Sequence, residues 1–181
     1  MRAARRAVPA AERGPAAAVI DRRIASLGLP RAGTRISAFE PFDGEIDPSV
    51  VLRRSRALGC RVYFPQITQL RRRRMRFVTN DGDGAAAAID PRWLDLALVP
   101  LVAFDARGTR LGMGAGFYDR YFAFLRHRRV WQRPRLLGVA FDVQRLEHIA
   151  TFDHDVPLWG VVTERGIYGR AAALVNGGMG R

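Results

Sequence analysis

Residues 94–120 read LDLALVPLVAFDARGTRLGMGAGFYDR, and this stretch decides the fold. Its first part, LDLALV at 94–99, is nearly continuous apolar sequence, as a strand covered on both faces should be. A loop carrying Asp105 and Arg110 follows. Three glycines then stand at alternate positions, Gly112, Gly114 and Gly116, before an aromatic helical segment at 117–125 (FYDRYFAFL). Outward from this stretch, helices alternate with strands. Residues 16–27 have apolar side chains at helical spacing and end at Gly28 and Pro30. Residues 35–39 (RISAF) read as a short strand, and 48–58 as a helix with Pro48 in its first turn and Gly59 behind it. Further strands are read at 61–64, stopped by Pro65, at 75–78, at 136–140 (LLGVA) and at 159–163 (WGVVT). The segment 79–84 (TNDGDG) reads as a loop, and the Gly- and Ala-rich tail from Tyr168 as frayed. The alternation predicts an α/β fold with a mainly parallel sheet, in a single domain spanning 1–181.

Composition narrows the function classes. A chain of 181 residues suits one domain and buries a core without disulfide or metal staples. Hydrophobic content of 48% and charged content of 26% exclude a disordered chain. No apolar run reaches the roughly 18 residues of a membrane span. The opening MRAARRAVPAAERG lacks the apolar stretch of a secretory signal. One cysteine, Cys60, excludes an internal disulfide and fits a reducing, cytoplasmic compartment. All 30 basic residues are arginine, and the net charge of +13 predicts attraction to polyanions: nucleotides, polyglutamate tails or nucleic acid. The run at 71–76 (RRRRMR) has two readings, a nucleic-acid contact or a solvated loop or strand edge. No aromatic residue interleaves with it, which leaves a base-stacking platform without support and makes nucleic acid the lesser reading. Nothing in the sequence demands more than a monomer.

The glycine segment carries the candidate chemistry. Ligands in open α/β sheets bind beyond the carboxyl ends of strands, where this loop lies. Alternate glycines let backbone N–H groups approach phosphate oxygens, and the helix start that follows favours an anion. Arg110 and Arg120 supply positive charge, and Asp119 is positioned to hold Mg²⁺ beside phosphates. The spacing is neither that of a Walker loop nor that of the dinucleotide fingerprint, so the glycines alone fit a tight turn equally well.

The combined string LVAFDxxGxRLGMGxGFYDR resembles the signature of the 5-formyltetrahydrofolate cyclo-ligase family. FEPFDGEID at 39–47, RVYFP at 61–65 and DHDVPLWGVVT at 153–163 are similar to further family segments in order and spacing. The likeness runs from about Arg5 to Thr163. The chain starts downstream of the family's K-x-x-L-R element, leaving Arg2, Arg5 and Arg6 to take its place. It also lacks a middle stretch with an N-x-(F/Y)-G-I-x-E-P-like element, having only TNDGDGAAAAIDPRW before Leu94.

The resemblance implies a three-layer α/β/α domain similar to the ribose-phosphate isomerase and CoA-transferase-like fold. It implies conversion of 5-formyltetrahydrofolate and ATP to 5,10-methenyltetrahydrofolate, ADP and phosphate with Mg²⁺, on a folate that can carry a polyglutamate tail. The formyl oxygen attacks the γ-phosphate, N10 closes on the activated carbon, and phosphate leaves. By motif match, Arg110, Leu111, Gly112, Met113, Gly114, Ala115, Gly116, Phe117 and Tyr118 form the ATP loop, with Arg110 and Tyr118 as catalytic candidates. Met113, Gly114, Ala115, Gly116 and Phe117 also face the folate, with Phe42 and Asp47. Asp119 and Asp155 are the Mg²⁺ carboxylates. Other readings stand beside these: Asp119 as a first-turn helix acid, Asp155 as a plain loop residue, Phe42 as core, and Asp47 as the cap of the helix behind Pro48.

Overall fold

The computed structural model describes residues 1–79, 87–114, 116–128 and 133–176. The loop expected at 79–84 falls, apart from Thr79, outside the described residues. An eight-stranded sheet runs through the molecule in the order β10-β9-β8-β5-β1-β2-β3-β4. Its middle strands, β9 (Gly160–Val162), β8 (Arg135–Val139), β5 (Leu96–Pro100), β1 (Arg35–Ser37) and β2 (Arg61–Gln69), are parallel. β3 (Arg74–Thr79), β4 (Ala88–Ile89) and β10 (Ile167–Tyr168) add antiparallel flanks. The predicted α/β class with a mainly parallel sheet is what the structure has.

β5 shows why the central segment reads as continuous apolar sequence. Side chains alternate across a strand. Leu96 and Leu98 enter a core with Ile20 and Ile24 of α2 (Ala10–Ser26) and with Val51 and Leu52 of α3 (Ser49–Ala57). Ala97 and Val99 enter a second core with Phe77, Phe104 and Phe122. All four strand residues are fully buried. The second core is closed by α4 (Phe117–Tyr121), by a 3₁₀ turn at Ala123–His127 and by the β6–β7 hairpin (Ala103–Phe104, Arg110–Leu111).

Several boundaries differ from the sequence reading, each for a physical reason. A short helix, α1 (Arg2–Arg6), precedes α2, and α2 begins at Ala10 and passes through Pro15. Pro15 is the sixth residue of α2, past the first turn, so the helix forgoes there the N–H bond that another residue would make to the Ala11 carbonyl. β2 does not stop at Pro65; it continues to Gln69, with Pro65 opposite Phe77 of β3. β1 pairs β2 only as far as Tyr63, so from there β2 is an edge on that side, and an edge tolerates a missing N–H. The helix read at 117–125 is a five-residue α-helix followed by the 3₁₀ turn. The segment read as frayed from Tyr168 carries structure as far as Asn176: β10, a 3₁₀ turn at Gly169–Ala171 and α5 (Ala172–Asn176). Ala171 is fully buried, and the Phe104 and Tyr168 rings pack with centroids 5.2 Å apart. Residues 177–181 lie outside the described residues.

The order of connections creates a crevice. From β1 the chain passes through α3 to β2 on one side; from β5 it passes to β8 and β9 on the other. β1 and β5 are neighbours, so the winding reverses between them, and ligand sites form outside the carboxyl ends at such a reversal.

Gly160 of β9 tests the packing of the C-terminal segment. A Cβ there would lie 2.5 Å from Ala171 Cβ and 2.6 Å from the Tyr168 carbonyl oxygen. Gly160→Ala is expected to destabilise the protein by about 2 kcal/mol through overpacking, read as a shift in the urea midpoint at constant slope.

Candidate active site

Two clefts meet at the glycine segment. The first, of about 850 Å³, is lined by Arg73, Arg107, Arg110, Arg120 and Arg126, by Gly112, Gly114 and Gly116, and by residues 149–152 and 154–157. Asp119 and Asp155 are its carboxylates. The second, of about 590 Å³, is apolar and aromatic, with Phe39, Phe42, Phe64, Pro65 and Ile67, and it has Glu40 and Glu45 as its acids. Phe39 and Glu40 follow β1, and Pro100 ends β5, so this cleft sits at the reversal of the winding.

The segment 110–118 is the partition. Arg110, Leu111, Gly112, Gly114 and Gly116 line the arginine cleft, whereas Met113 and Tyr118 line the aromatic cleft. Gly114 (φ +84°) and Gly116 (φ +63°) have left-handed backbones that only glycine adopts cheaply. A Cβ on Gly112 or Gly114 would meet nothing within 4 Å, so the loop presents open backbone to the cleft. Ala115 lies outside the described residues. Phe117 lines neither cleft; it packs against the second core. The sequence reading credits a helix dipole with part of the anion attraction, but α4 has only five residues. The positive field comes instead from five arginines.

Arg110 and Asp119 form a clamp. Arg110 Nη2 donates to Asp119 Oδ1 at 2.6 Å, and Arg110 Nη1 donates to the Val156 carbonyl at 2.7 Å. Val156 N–H donates to the same Asp119 oxygen at 3.1 Å. The pair thus holds both backbone groups of Val156, its N–H and its carbonyl, and ties the 150s loop to the glycine segment. Asp155 Oδ2 accepts from Phe152 N–H at 2.8 Å, which turns the same loop. Among the described residues no group of three or more His, Cys, Asp or Glu could hold a metal. Two carboxylates on one wall nevertheless suit Mg²⁺, which takes one or two carboxylates and completes its shell with phosphate oxygens and water.

Asp105 is fully buried under the loop. It accepts from Arg107 Nη2 at 2.8 Å and from the backbone N–H of Thr109 and Ile149. Burial raises its pKa, but Arg107 and those amides outweigh burial and hold it below the usual carboxylate value. Tyr118 has its pKa raised by burial and by the nearby charge of Glu45, against a smaller lowering from Arg110. The phenol is therefore protonated at neutral pH.

On the other side the outcome is mixed. Phe42 is 65% exposed, so it is not core; it lines the aromatic cleft. Asp47 lines neither cleft; it accepts from Ser49 N–H at 2.8 Å in the turn just ahead of α3, but the N-cap position is Pro48, with no side-chain cap bond, so Asp47 is neither a cleft residue nor the helix cap. The acids that line the cleft are Glu40 and Glu45, neither of which the sequence reading singles out; Glu45 lies two residues before Asp47. Its Oε2 accepts from Phe42 N–H at 3.1 Å and its Oε1 pairs with Arg5 at 3.3 Å. Burial, the largest influence, raises its pKa despite Arg5. The legible signal is the turn: Asp43 (φ +55°) and Gly44 fold the segment back so that Glu45 reaches the Phe42 amide. Arg2, Arg5 and Arg6 do not line the arginine cleft; all three pair with Asp43. Arg5, fully buried, also donates to the Leu101 carbonyl.

An arginine-lined cleft and an aromatic cleft side by side on a mainly parallel sheet define an α/β protein with its ligand-sized hollows where such folds place their sites. The sequence model described as the 5-formyltetrahydrofolate cyclo-ligase family matches residues 1–164, and the chain belongs to that family. It is 32% identical over 143 residues to the 5-formyltetrahydrofolate cyclo-ligase of Escherichia coli strain K12, covering 71% of this chain and 76% of that one. It is 29% identical over 149 residues to the Haemophilus influenzae protein of the same name, covering 73% and 76%. Its fold is similar to that of a 5,10-methenyltetrahydrofolate synthetase from Mycoplasma pneumoniae, with a TM-score of 0.73, 22% identity, and coverage of 88% of this chain and 92% of that one. A synthetase of the same name from Aquifex aeolicus aligns with a TM-score of 0.71 at 22% identity, covering 91% and 86%.

Asp105 and Asp95 set an expectation for acid stability. Burial raises Asp95 also, but Arg35 and Arg133 bring it below its usual value. A carboxylate whose folded pKa is depressed contributes stability that is complete above its ordinary value of 3.8 and is lost as pH falls below it. The urea midpoint is expected to fall steeply from about pH 4 downward, and Asp105→Asn is expected to flatten that fall.

Proposed function

We propose that this chain catalyses the ATP- and Mg²⁺-dependent cyclisation of 5-formyltetrahydrofolate to 5,10-methenyltetrahydrofolate, with release of ADP and phosphate. One observation carries the reading: a single glycine segment is the shared wall of an arginine-lined cleft and an aromatic cleft. Such a wall lets a γ-phosphate on one side meet a formyl oxygen on the other. Family membership supports the reaction, and the two linings support the division of labour.

In this proposal the triphosphate lies in the arginine cleft along Arg110, Leu111, Gly112, Gly114 and Gly116, with Ala115 in the same loop. Open backbone and fixed guanidinium groups neutralise charge without rearranging during transfer. Asp119 and Asp155 hold Mg²⁺, which when bound orients the phosphate oxygens and neutralises their charge. Arg110 is kept at the partition by Asp119 and Val156. The pterin lies in the aromatic cleft against Phe42 and Met113, and Glu45, in preference to Asp47, faces its ring nitrogens. Tyr118, neutral at physiological pH, hydrogen-bonds at the partition. The formyl oxygen attacks the γ-phosphorus as ADP leaves; N10 then attacks the activated carbon and phosphate leaves. The high positive charge suits a polyglutamylated folate. A cytoplasmic, monomeric enzyme in one domain completes the proposal.

The test is spectroscopic, because methenyltetrahydrofolate absorbs in the near ultraviolet where the 5-formyl compound does not. Absorbance is expected to grow only with ATP and Mg²⁺ both present; pure folded protein giving no signal at millimolar substrate defeats the proposal. Asp119→Asn keeps shape but removes charge, and is expected to cut turnover by about 100-fold or more with a normal circular dichroism spectrum. Glu45→Gln is expected to raise the KM for folate at least about tenfold while leaving the KM for ATP within about twofold. A rise in the KM for ATP instead would reverse the assignment of the two clefts.

A further inference from the structure

Beyond Arg73 and Arg120, which line the arginine cleft, lies another hollow of about 850 Å³ that the proposed reaction does not use. Its lining combines the four consecutive arginines 71–74 with Arg92 and Arg120, and it includes the rings of Tyr121 and Phe124. The single carboxylate of that lining is Asp90, which accepts from the backbone N–H of Arg92 at 2.8 Å and lies 3.7 Å from the Arg92 guanidinium.

The arginine run is held in place. It forms the tip of the β2–β3 hairpin, where Arg73 adopts a left-handed backbone (φ +50°). Tyr121 Oη accepts from Met75 N–H at 2.7 Å, and Arg120 Nη1 donates to the Arg72 carbonyl at 3.1 Å. Two bonds from α4 therefore hold the hairpin end against the mutual repulsion of its charges. Aromatic groups cluster beside it. The Phe124 ring lies 4.6 Å from the Arg128 guanidinium and 5.8 Å from that of Arg92. Trp93, next in sequence to Arg92, is 64% exposed. In sequence no aromatic residue interleaves with the run; the fold supplies Tyr121 and Phe124 from α4 and the turn behind it, and Trp93 from the turn before β5.

We propose that this face binds single-stranded nucleic acid. Guanidinium forks match phosphate oxygens two at a time, which favours phosphate over an isolated point charge. Arginines beside the half-buried rings of Tyr121 and Phe124, with the exposed Trp93 next to Arg92, form the combination on which single strands seat: backbone phosphates on the charges, bases on the rings. A polycarboxylate would use the charges and leave the rings idle. The proposal is independent of the chemistry assigned to the neighbouring clefts.

The experiment is fluorescence anisotropy of a labelled single-stranded oligouridylate with the full chain, between about 50 and 200 mM salt. Saturable binding that weakens steeply with salt is expected. The triple variant R71A/R72A/R74A, altered only at exposed hairpin positions, is expected to bind at least about tenfold more weakly. Its slope of log affinity against log salt should be shallower by about 2, since each single-strand phosphate contact contributes about 0.7. Trp93→Ala is expected to weaken binding at least about fivefold through lost stacking. No binding at the lowest salt overturns the proposal, as does undiminished binding by the triple variant. Full affinity in Trp93→Ala, or displacement by polyglutamate as effective per charge as by unlabelled oligonucleotide, reduces the face to a charge-only surface and overturns it equally.

Discussion

The complete burial of β5 is the constraint on which the rest of the molecule depends. Leu96 and Leu98 need the helices α2 and α3 on one face; Ala97 and Val99 need the aromatic cluster of Phe77, Phe104 and Phe122 on the other. Each buried aliphatic side chain contributes about 1.5–3 kcal/mol, so neither face can be left open. A strand covered on both sides opens to solvent only at its ends. At its carboxyl end, beside β1, the chain reverses its winding and the two clefts form.

Within that frame, acids organise arginines rather than the reverse. With 30 arginines against 17 acids, a carboxylate can draw more than one cation. Asp43 gathers Arg2, Arg5 and Arg6; Asp95 takes Arg35 and Arg133; Asp105 fixes Arg107 and two loop amides. The Arg110–Asp119 pair joins the glycine segment to the 150s loop through the two backbone groups of Val156. These pairs set the shape of the loops, and the remaining guanidinium groups give the clefts their positive field. The partition follows from helix geometry: Tyr118 and Asp119, adjacent in α4 and so about 100° apart around its axis, line different clefts.

The strands, the helices behind Pro48 and before Gly28, and the glycine segment are written in local sequence, because periodicity and turn residues act over a few positions. The family string is local too, and with it came Arg110, Gly112, Gly114, Gly116 and Asp119, all of which line one cleft. Local reading failed where a distant partner decided. Pro65 looks like a stop until β1 is seen to end and leave an edge. Asp47 and Glu45 are acids two positions apart; only the fold of the turn onto Arg5 and the Phe42 amide makes Glu45 a cleft wall while Asp47 bonds the Ser49 amide ahead of α3.

Sequence alone thus settles the class of sheet and marks the glycine segment, since these rest on alternation and on the missing Cβ of glycine. Which side of that loop each residue faces, which arginines are tied to carboxylates and which line a cleft, and how an uninterrupted arginine run acquires aromatic neighbours are decided by tertiary structure. The reason is that those properties arise between residues some 40 to 100 positions apart, such as Met75 with Tyr121 or Arg5 with Leu101, and no local pattern encodes such distances.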